Sequence, residues 1–189
     1  KNFFDSGVAA SLSNLNSNEM KQGTVCIDIG YFSSKIIVFL ENKIIFADNL
    51  TIAGKDVTKD ISKGLDISEE NAETLKIIHG SLNSSYNENI NLNFDSSNKR
   101  KINKNLLHGI IKPRYEEILE IIRDNLFDDL NARIGINNIL ITGGASKIFG
   151  LENLCSHIFN RRCRIGNVNN LNSFFYNKPE FSTLLGLVE

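Results

Sequence analysis

The sequence predicts an α/β fold: a mixed five-stranded sheet with helices, carrying a small α+β subdomain as an insertion. Three observations point to it. Three β-rich runs, Thr24–Ile29, Ser34–Leu40 and residues 43–47, follow one another with connections so short that the strands must be antiparallel neighbours. Two later apolar runs, Asn138–Thr142 and residues 163–165, flank a helical stretch over Leu151–Phe159, the spacing of parallel strands joined by a crossover. Between the two groups lie helical stripes interrupted by a stretch rich in Asn and Ser.

Taken in order, residues 7–15 place Val8, Leu12 and Leu15 at helical spacing, and the polar stretch 16–23 reads as the turn into the first strand. Glu41-Asn42 turns the second strand into the third. Val57, Ile61 and Leu65 make one short helical stripe. Ser68 reads as an N-cap with Glu69 and Glu70 in the first turn, Ala72, Leu75 and either Ile78 or His79 inward, and Gly80 as the stop. Within residues 81–105, Ile90, Leu92 and Phe94 alternate with Asn, which is strand periodicity with one face on a partner. Pro113 suits the first turn of a long helix in which Tyr115, Ile118, Leu119, Ile122, Leu126 and Leu130 form one stripe. A last helical stretch starts at Glu180. Three antiparallel strands followed by helix-separated parallel ones is the order of a ribonuclease-H-like sheet, whose ligand loops lie at the carboxyl ends of the parallel strands.

Composition excludes several functions. At 189 residues the chain can bury roughly 70% of its unfolded surface in a real core. Its 41% hydrophobic and 23% charged content is that of a globular domain, and a net charge of -1 offers no global field for nucleic acid or an anionic membrane. The longest apolar stretch, residues 36–40, is far short of a membrane span. Cys26, Cys155 and Cys163 show no CxxC spacing and read as buried or idle thiols. The opening Lys1-Asn2-Phe3-Phe4 has neither an initiator methionine nor a secretory pattern, so the chain reads as an internal piece of a longer protein.

Three places could carry chemistry. Asp28-Ile29-Gly30 ends the first strand and leads into Tyr31-Phe32-Ser33-Ser34; a carboxylate there can hold a hydrated Mg²⁺, and the turn can present donors to phosphate. An ordinary hairpin explains the same residues. Thr142-Gly143-Gly144-Ala145-Ser146 follows an apolar strand, and its missing side chains let a flat base or a phosphate approach the backbone, although close helix–strand packing would need them too. Neither GxGxxG nor GxxxxGK[ST] occurs. Glu73 and Lys76 share a helix face, as a ribose acceptor beside a lysine stem or as a plain surface ion pair. His79, His108 and His157 are scattered without ligand spacing, and Lys99-Arg100-Lys101 with Lys104 reads as a solvated hairpin edge before it reads as a partner surface.

In order, the residues resemble one family, FtsA, the actin-like bacterial cell-division protein, in its second half. The resemblance runs through Glu19, Gly23 to Gly30, Ala53-Gly54 to Ile61, Ala72-Glu73 to Gly80, Ile111 to Ile118 with Pro113-Arg114, Leu140 to Ala145, Cys163 to Gly166 and Phe181 to Leu187. It implies an actin-like nucleotide-binding core at residues 1–62 and 136–189, with residues 63–135 as the inserted subdomain that receives the FtsZ tail. It implies bound ATP, with Asp28 near Mg through water, Gly30, Ser33 and Ser34 near phosphates, Gly54, Glu73 and Lys76 beside ribose and base, and Gly143, Gly144, Ala145 and Ser146 under the adenine. No residue takes a catalytic role. Arg114, with Arg100, is the implied grip on the carboxyl-terminal tail of FtsZ, a task suited to guanidinium geometry.

The resemblance further implies self-association into filaments, contacts with other division proteins, and a cytoplasmic location peripheral to the inner membrane at the division site, with the membrane reached only through a segment missing here. Where the family has small glycines after Asp-Ile-Gly, this chain has Tyr31 and Phe32, two rings that should hinder phosphate. The expected ATPase activity is weak at most. Two other readings stay open: a degenerate scaffold without nucleotide, and an ATPase or sugar-kinase-like enzyme of the same superfamily.

Overall fold

A computed structural model describes residues 5–83, 88–95, 98–129, 136–167 and 178–188, and excludes the side chains of residues 92–95, 98–100 and 127–129. In chain order the elements are α1 (Ser6–Leu12), α2 (Ser17–Gln22), β1 (Thr24–Ile29), β2 (Ser34–Leu40), β3 (Lys43–Leu50), α3 (Gly54–Leu65) and α4 (Glu69–His79). There follow β4 (Asn89–Asp95), β5 (Asn98–Asn103), α5 (Lys104–Asp129), β6 (Asn138–Thr142), α6 (Leu151–Phe159), β7 (Arg162–Ile165) and α7 (Ser182–Gly186). Short 3-10 turns over Gly144–Lys147 and Pro179–Phe181 precede α6 and α7.

The five-stranded sheet has the order β3-β2-β1-β6-β7, antiparallel as far as β1 and parallel from β1 to β7. It is the mixed sheet that the apolar runs predict. β1 lies at the centre and is covered on both faces, so its residues are apolar nearly throughout and do not alternate. Val25, Ile27 and Ile29 join the large core beneath α3, α5 and α6. Cys26, level with Ile37 on β2 and Leu140 on β6, joins Leu15 and Phe39 in a smaller cluster against α1 and α2. The edge strand β3 is mostly solvated. Glu41 and Asn42 both have positive φ, the two-residue turn that matches strand twist. All three cysteines are buried free thiols, and burial pushes Cys26 up to about 12. Among the described residues no helix is long and apolar enough to cross a membrane.

Several elements differ from the sequence reading. The polar stretch 16–23 holds a second helix, α2, whose Asn16 and Glu19 form a reciprocal capping box. Arg164 of β7 clamps α2 to the sheet, with Nε and Nη2 on the Glu19 carboxylate at 2.9 and 3.0 Å. Leu12 is exposed, because α1 ends there. On α4 the inward residues are Ala72, Leu75 and Lys76; Ile78 points to solvent and His79 is half-buried. The long helix starts at Lys104, nine residues before Pro113, with the Asn103 side chain accepting from the Asn105 N–H at 2.7 Å. Pro113 therefore sits inside α5 and not in its first turn. Burial of Tyr115, Ile118, Leu119 and Ile122 holds the helix through the missing bond to Gly109. The stretch from Glu180 is a 3-10 turn and the five-residue α7. Ile90 is buried opposite Ile102 in the β4–β5 hairpin; Leu130 and the side chains of Leu92 and Phe94 lie outside the described residues.

α7 closes the fold against α1. Ser182 joins a buried polar network, receiving Asn14 Nδ2 on its hydroxyl and Ser13 Oγ on its carbonyl, each at 2.9 Å, with Thr142 Oγ1 2.6 Å from its Oγ. A Cβ on Gly186 would stand 1.8 Å from the Ala9 carbonyl oxygen, so only glycine lets the two helices approach this closely. Gly186→Ala is expected to lower the melting temperature by about 2–12 °C, from about 1–3 kcal/mol of overpacking in a domain of this size. Thermal unfolding followed by circular dichroism checks this, and an unchanged midpoint would show that α7 does not dock on α1.

Candidate functional site

β1 and β6 pair in parallel through Asp28 and Thr142, so the turns that follow them leave the sheet side by side. Gly143, at φ 90°, fits this junction because it lacks a side chain: a Cβ would come within 2.4 Å of both the Asp28 carboxylate and the Ile29 carbonyl. Above the two turns lies a cavity of about 400 Å³, lined on one side by Gly30, Tyr31 and Gly54, on another by Glu73, Lys76, Ile77 and Gly80, and closed by Tyr115, Gly144, Ala145, Lys147, Ile148 and Glu180. Six of the residues singled out in the sequence, Gly30, Gly54, Glu73, Lys76, Gly144 and Ala145, thus line one cavity. Asp28, Ser33, Ser34, Gly143 and Ser146 do not line it.

Hydrogen bonding explains the difference. Ser34 is fully buried, with its hydroxyl donated to the Ile52 carbonyl at 2.6 Å. Ser146 donates to the Gly143 carbonyl at 2.7 Å. The Gly30 N–H bonds the Ser33 carbonyl at 3.0 Å, which closes the turn on itself. The first amides of α3 are also occupied: Gly54 N–H donates to the Gly30 carbonyl at 3.1 Å and Lys55 N–H to the Tyr31 carbonyl at 2.7 Å.

Glu73 and Lys76 are a salt bridge at 2.7 Å, but not the surface pair that spacing alone suggests. Lys76 is only 8% exposed, and its ammonium also donates to the Gly54 carbonyl at 2.9 Å and the Thr58 hydroxyl at 2.8 Å. Burial holds its pKa below the ordinary lysine value, against the opposing pull of Glu73. The Thr58 hydroxyl also touches the Glu73 carboxylate. The ring of Tyr31 lies 5.5 Å from the Lys76 ammonium and edge-on to Phe32, which is 68% exposed and carries Lys55 at 5.1 Å.

Sequence reasoning placed Tyr115 in a core stripe and missed that its hydroxyl, donating to the Ala145 carbonyl at 2.8 Å, fixes the cavity floor. Lys147 and Glu180, paired at 2.8 Å across 33 residues, were also missed, because no local spacing announces such a pair. Arg114 does not line the cavity and is engaged already. Its Nε and Nη2 fork Asp60 at 2.5 and 3.1 Å, and its Nη1 contacts Glu117. Arg100 stands opposite Leu92 on β5, its side chain outside the described residues. Among the described residues no group of His, Cys, Asp and Glu could hold a metal ion by itself.

Asp28 is the unusual titratable group. It is largely buried, no described donor hydrogen-bonds its carboxylate, and burial raises its pKa despite the opposing charge of Lys35. A raised acid contributes stability that is fully present below its ordinary value and is lost as pH rises through the folded value. Ionised Asp28 therefore costs stability at neutral pH. Asp28→Asn is expected to raise the urea midpoint at pH 7, with the gain disappearing below the ordinary carboxylate value of 3.8. An equal gain at both pH values would show that Asp28 carries no such strain.

The topology and the paired turns define a class. The fold resembles that of MreB5 of Spiroplasma citri bound to ADP, at a TM-score of 0.80 and 18% identity over 98% of this chain and 58% of the other. It also resembles Ta0583, an archaeal actin homolog, at 0.65 and 15% identity over 97% and 53%. The chain has the fold of an actin-like lobe. Residues 25–186 match the family described as Cell division protein FtsA, and the chain is 33% identical over 189 residues to the cell division protein FtsA of Rhizobium meliloti. The chain belongs to the FtsA family. That alignment covers 95% of this chain and 43% of the relative, so the chain spans less than half of the relative's length.

Proposed function

We propose that this chain is the nucleotide-holding lobe of an FtsA-type division adaptor: an actin-like, ATP-binding protein that self-associates and links the FtsZ ring to the inner membrane. The core at residues 1–62 and 136–189, with Glu73 and Lys76 of α4, holds the nucleotide, and residues 63–135 present the surface for the carboxyl-terminal tail of FtsZ. The adaptor works in the cytoplasm at the inner membrane face of the division site, recruits other division proteins, and reaches the membrane through a segment not contained in these 189 residues. Its role is structural, with ATPase activity weak at most.

The observation that carries this reading is the convergence of Gly30, Gly54, Glu73, Lys76, Gly144 and Ala145 on one cavity. Its volume falls in the range of small-molecule sites, about 300–1,000 Å³. Glu73 can accept from ribose hydroxyls, and the bare backbone of Gly144 and Ala145 admits a flat base. Asp28, at the end of β1 just outside the cavity lining, would hold Mg²⁺ through water, since the ion keeps most of its waters and takes further ligands from phosphate. When bound, Mg²⁺ would neutralise phosphate charge.

Arg114 is the grip for the tail, and Asp60 and Glu117 hold its fork until a tail carboxylate replaces them. In the full-length protein, an FtsZ-tail peptide is expected to bind saturably, and Arg114→Glu to abolish binding. Unchanged affinity in that variant contradicts the assignment.

One observation favours a second reading, a scaffold without nucleotide: Tyr31 lines the cavity with its ring against Lys76. Calorimetry of the full-length protein with Mg-ATP separates the two, since absence of heat at high micromolar ligand supports the empty scaffold.

A further inference from the structure

His79 and His108, which show no ligand spacing in the sequence, meet in the fold. With Lys104 they line a recess of about 210 Å³ between the end of α4 and the first turns of α5, bounded also by Ile78, Gly80 and Ser81. No described residue of its lining is acidic. Gly80 lines both this recess and the nucleotide cavity, so the two spaces lie back to back.

The walls are held by the protein itself. Gly80 N–H donates to the Lys76 carbonyl at 3.0 Å and Leu82 N–H to the Phe149 carbonyl at 2.8 Å, which pins the segment leaving α4. The Leu82 carbonyl lies 3.0 Å from His108 Nε2; a carbonyl only accepts, so this nitrogen carries a proton and the other ring nitrogen is left for the recess. The Ser81 hydroxyl is used in its own turn, 3.1 Å from the Asn83 carbonyl, and is not counted as a donor here.

Charge selects the occupant. Burial, and then the Lys104 ammonium, hold the His79 pKa below its ordinary value of 6.5, and no carboxylate opposes them. Lys104 is paired with Glu88, but that carboxylate is 62% exposed and takes one of three ammonium protons. Two imidazoles and an ammonium from two helices need an anion with at least three acceptor oxygens. A carboxylate has two, whereas a phosphoryl group presents three.

We propose that this recess is an oxyanion site, built by His79, Lys104 and His108, that takes free phosphate or the phosphoryl group of a small phosphomonoester. A bound anion favours the charged imidazole and so raises the His79 pKa; affinity therefore rises as pH falls through that raised value toward the free one. The groups that set this dependence are His79 at the end of α4, Lys104 and His108 on α5, and Glu88 just before β4. Phe149, packed on the segment after α4, adds no charge.

Histidine side-chain magnetic resonance of the 189-residue chain tests this, because there are three histidines and His157, on α6, is an internal reference. Sulfate is the first probe, since its charge stays constant where histidine titrates and any pH dependence then belongs to the protein. The His79 and His108 signals are expected to shift along one saturation curve while His157 stays fixed, with affinity at least about threefold higher at about pH 5.5 than at about pH 7.5. Lys104→Gln is expected to weaken sulfate about tenfold. Inorganic phosphate and glycerol 3-phosphate then separate the two sources, the tighter of them naming the occupant. Acetate binding as tightly as sulfate overturns the phosphoryl assignment. Unmoved signals of His79 and His108, equal movement of His157, affinity independent of pH, or full affinity in Lys104→Gln overturns the site.

Discussion

The parallel pairing of β1 with β6 is the constraint on which the rest depends. Because Asp28 and Thr142 lie level at the ends of two adjacent strands, the chain must turn away from the sheet twice within a few ångströms. Gly143 makes that possible, lying against the Ile29 carbonyl and the Asp28 carboxylate. α3 then docks its first amides on the turn after β1, and Tyr115 of α5 ties down the turn after β6. Each wall of the cavity follows from one of these contacts. Moving either strand by a residue would turn its core face outward and separate the two turns.

The same constraint explains why the sheet was legible from residues alone. β1, β2 and β6 are apolar nearly end to end because both sheet faces are covered, and such runs are strong local signals. Glu41-Asn42 announced a hairpin by its length. α2 was hidden because six residues carry no stripe; its only signal was the spacing of Asn16 and Glu19. The start of α5 was misplaced because proline is far commoner in a first turn than in a helix interior, and packing of the buried stripe overrode that preference.

At the site, spacing identified glycines and the Glu73–Lys76 pair, but not how deeply the pair is buried or that the Ser34 and Ser146 hydroxyls are spent on carbonyls. Those facts depend on elements far apart in sequence: Ser34 on Ile52, Lys76 on Gly54, Lys147 on Glu180. Arg114 gives the same lesson, since its fork is filled by Asp60, 54 residues away. A motif names a donor; only the fold says whether the donor is free. Membership of the FtsA family accounts for the fold.

Backbone amide mapping by nuclear magnetic resonance with added adenosine tests most directly whether the two turns build one ligand site. Resonances of Gly30, Gly54, Gly144 and Ala145 are expected to shift together along a single saturation curve. Shifts confined to one turn, or concentrated on the opposite face of the sheet around α1 and α2, would contradict a shared cavity.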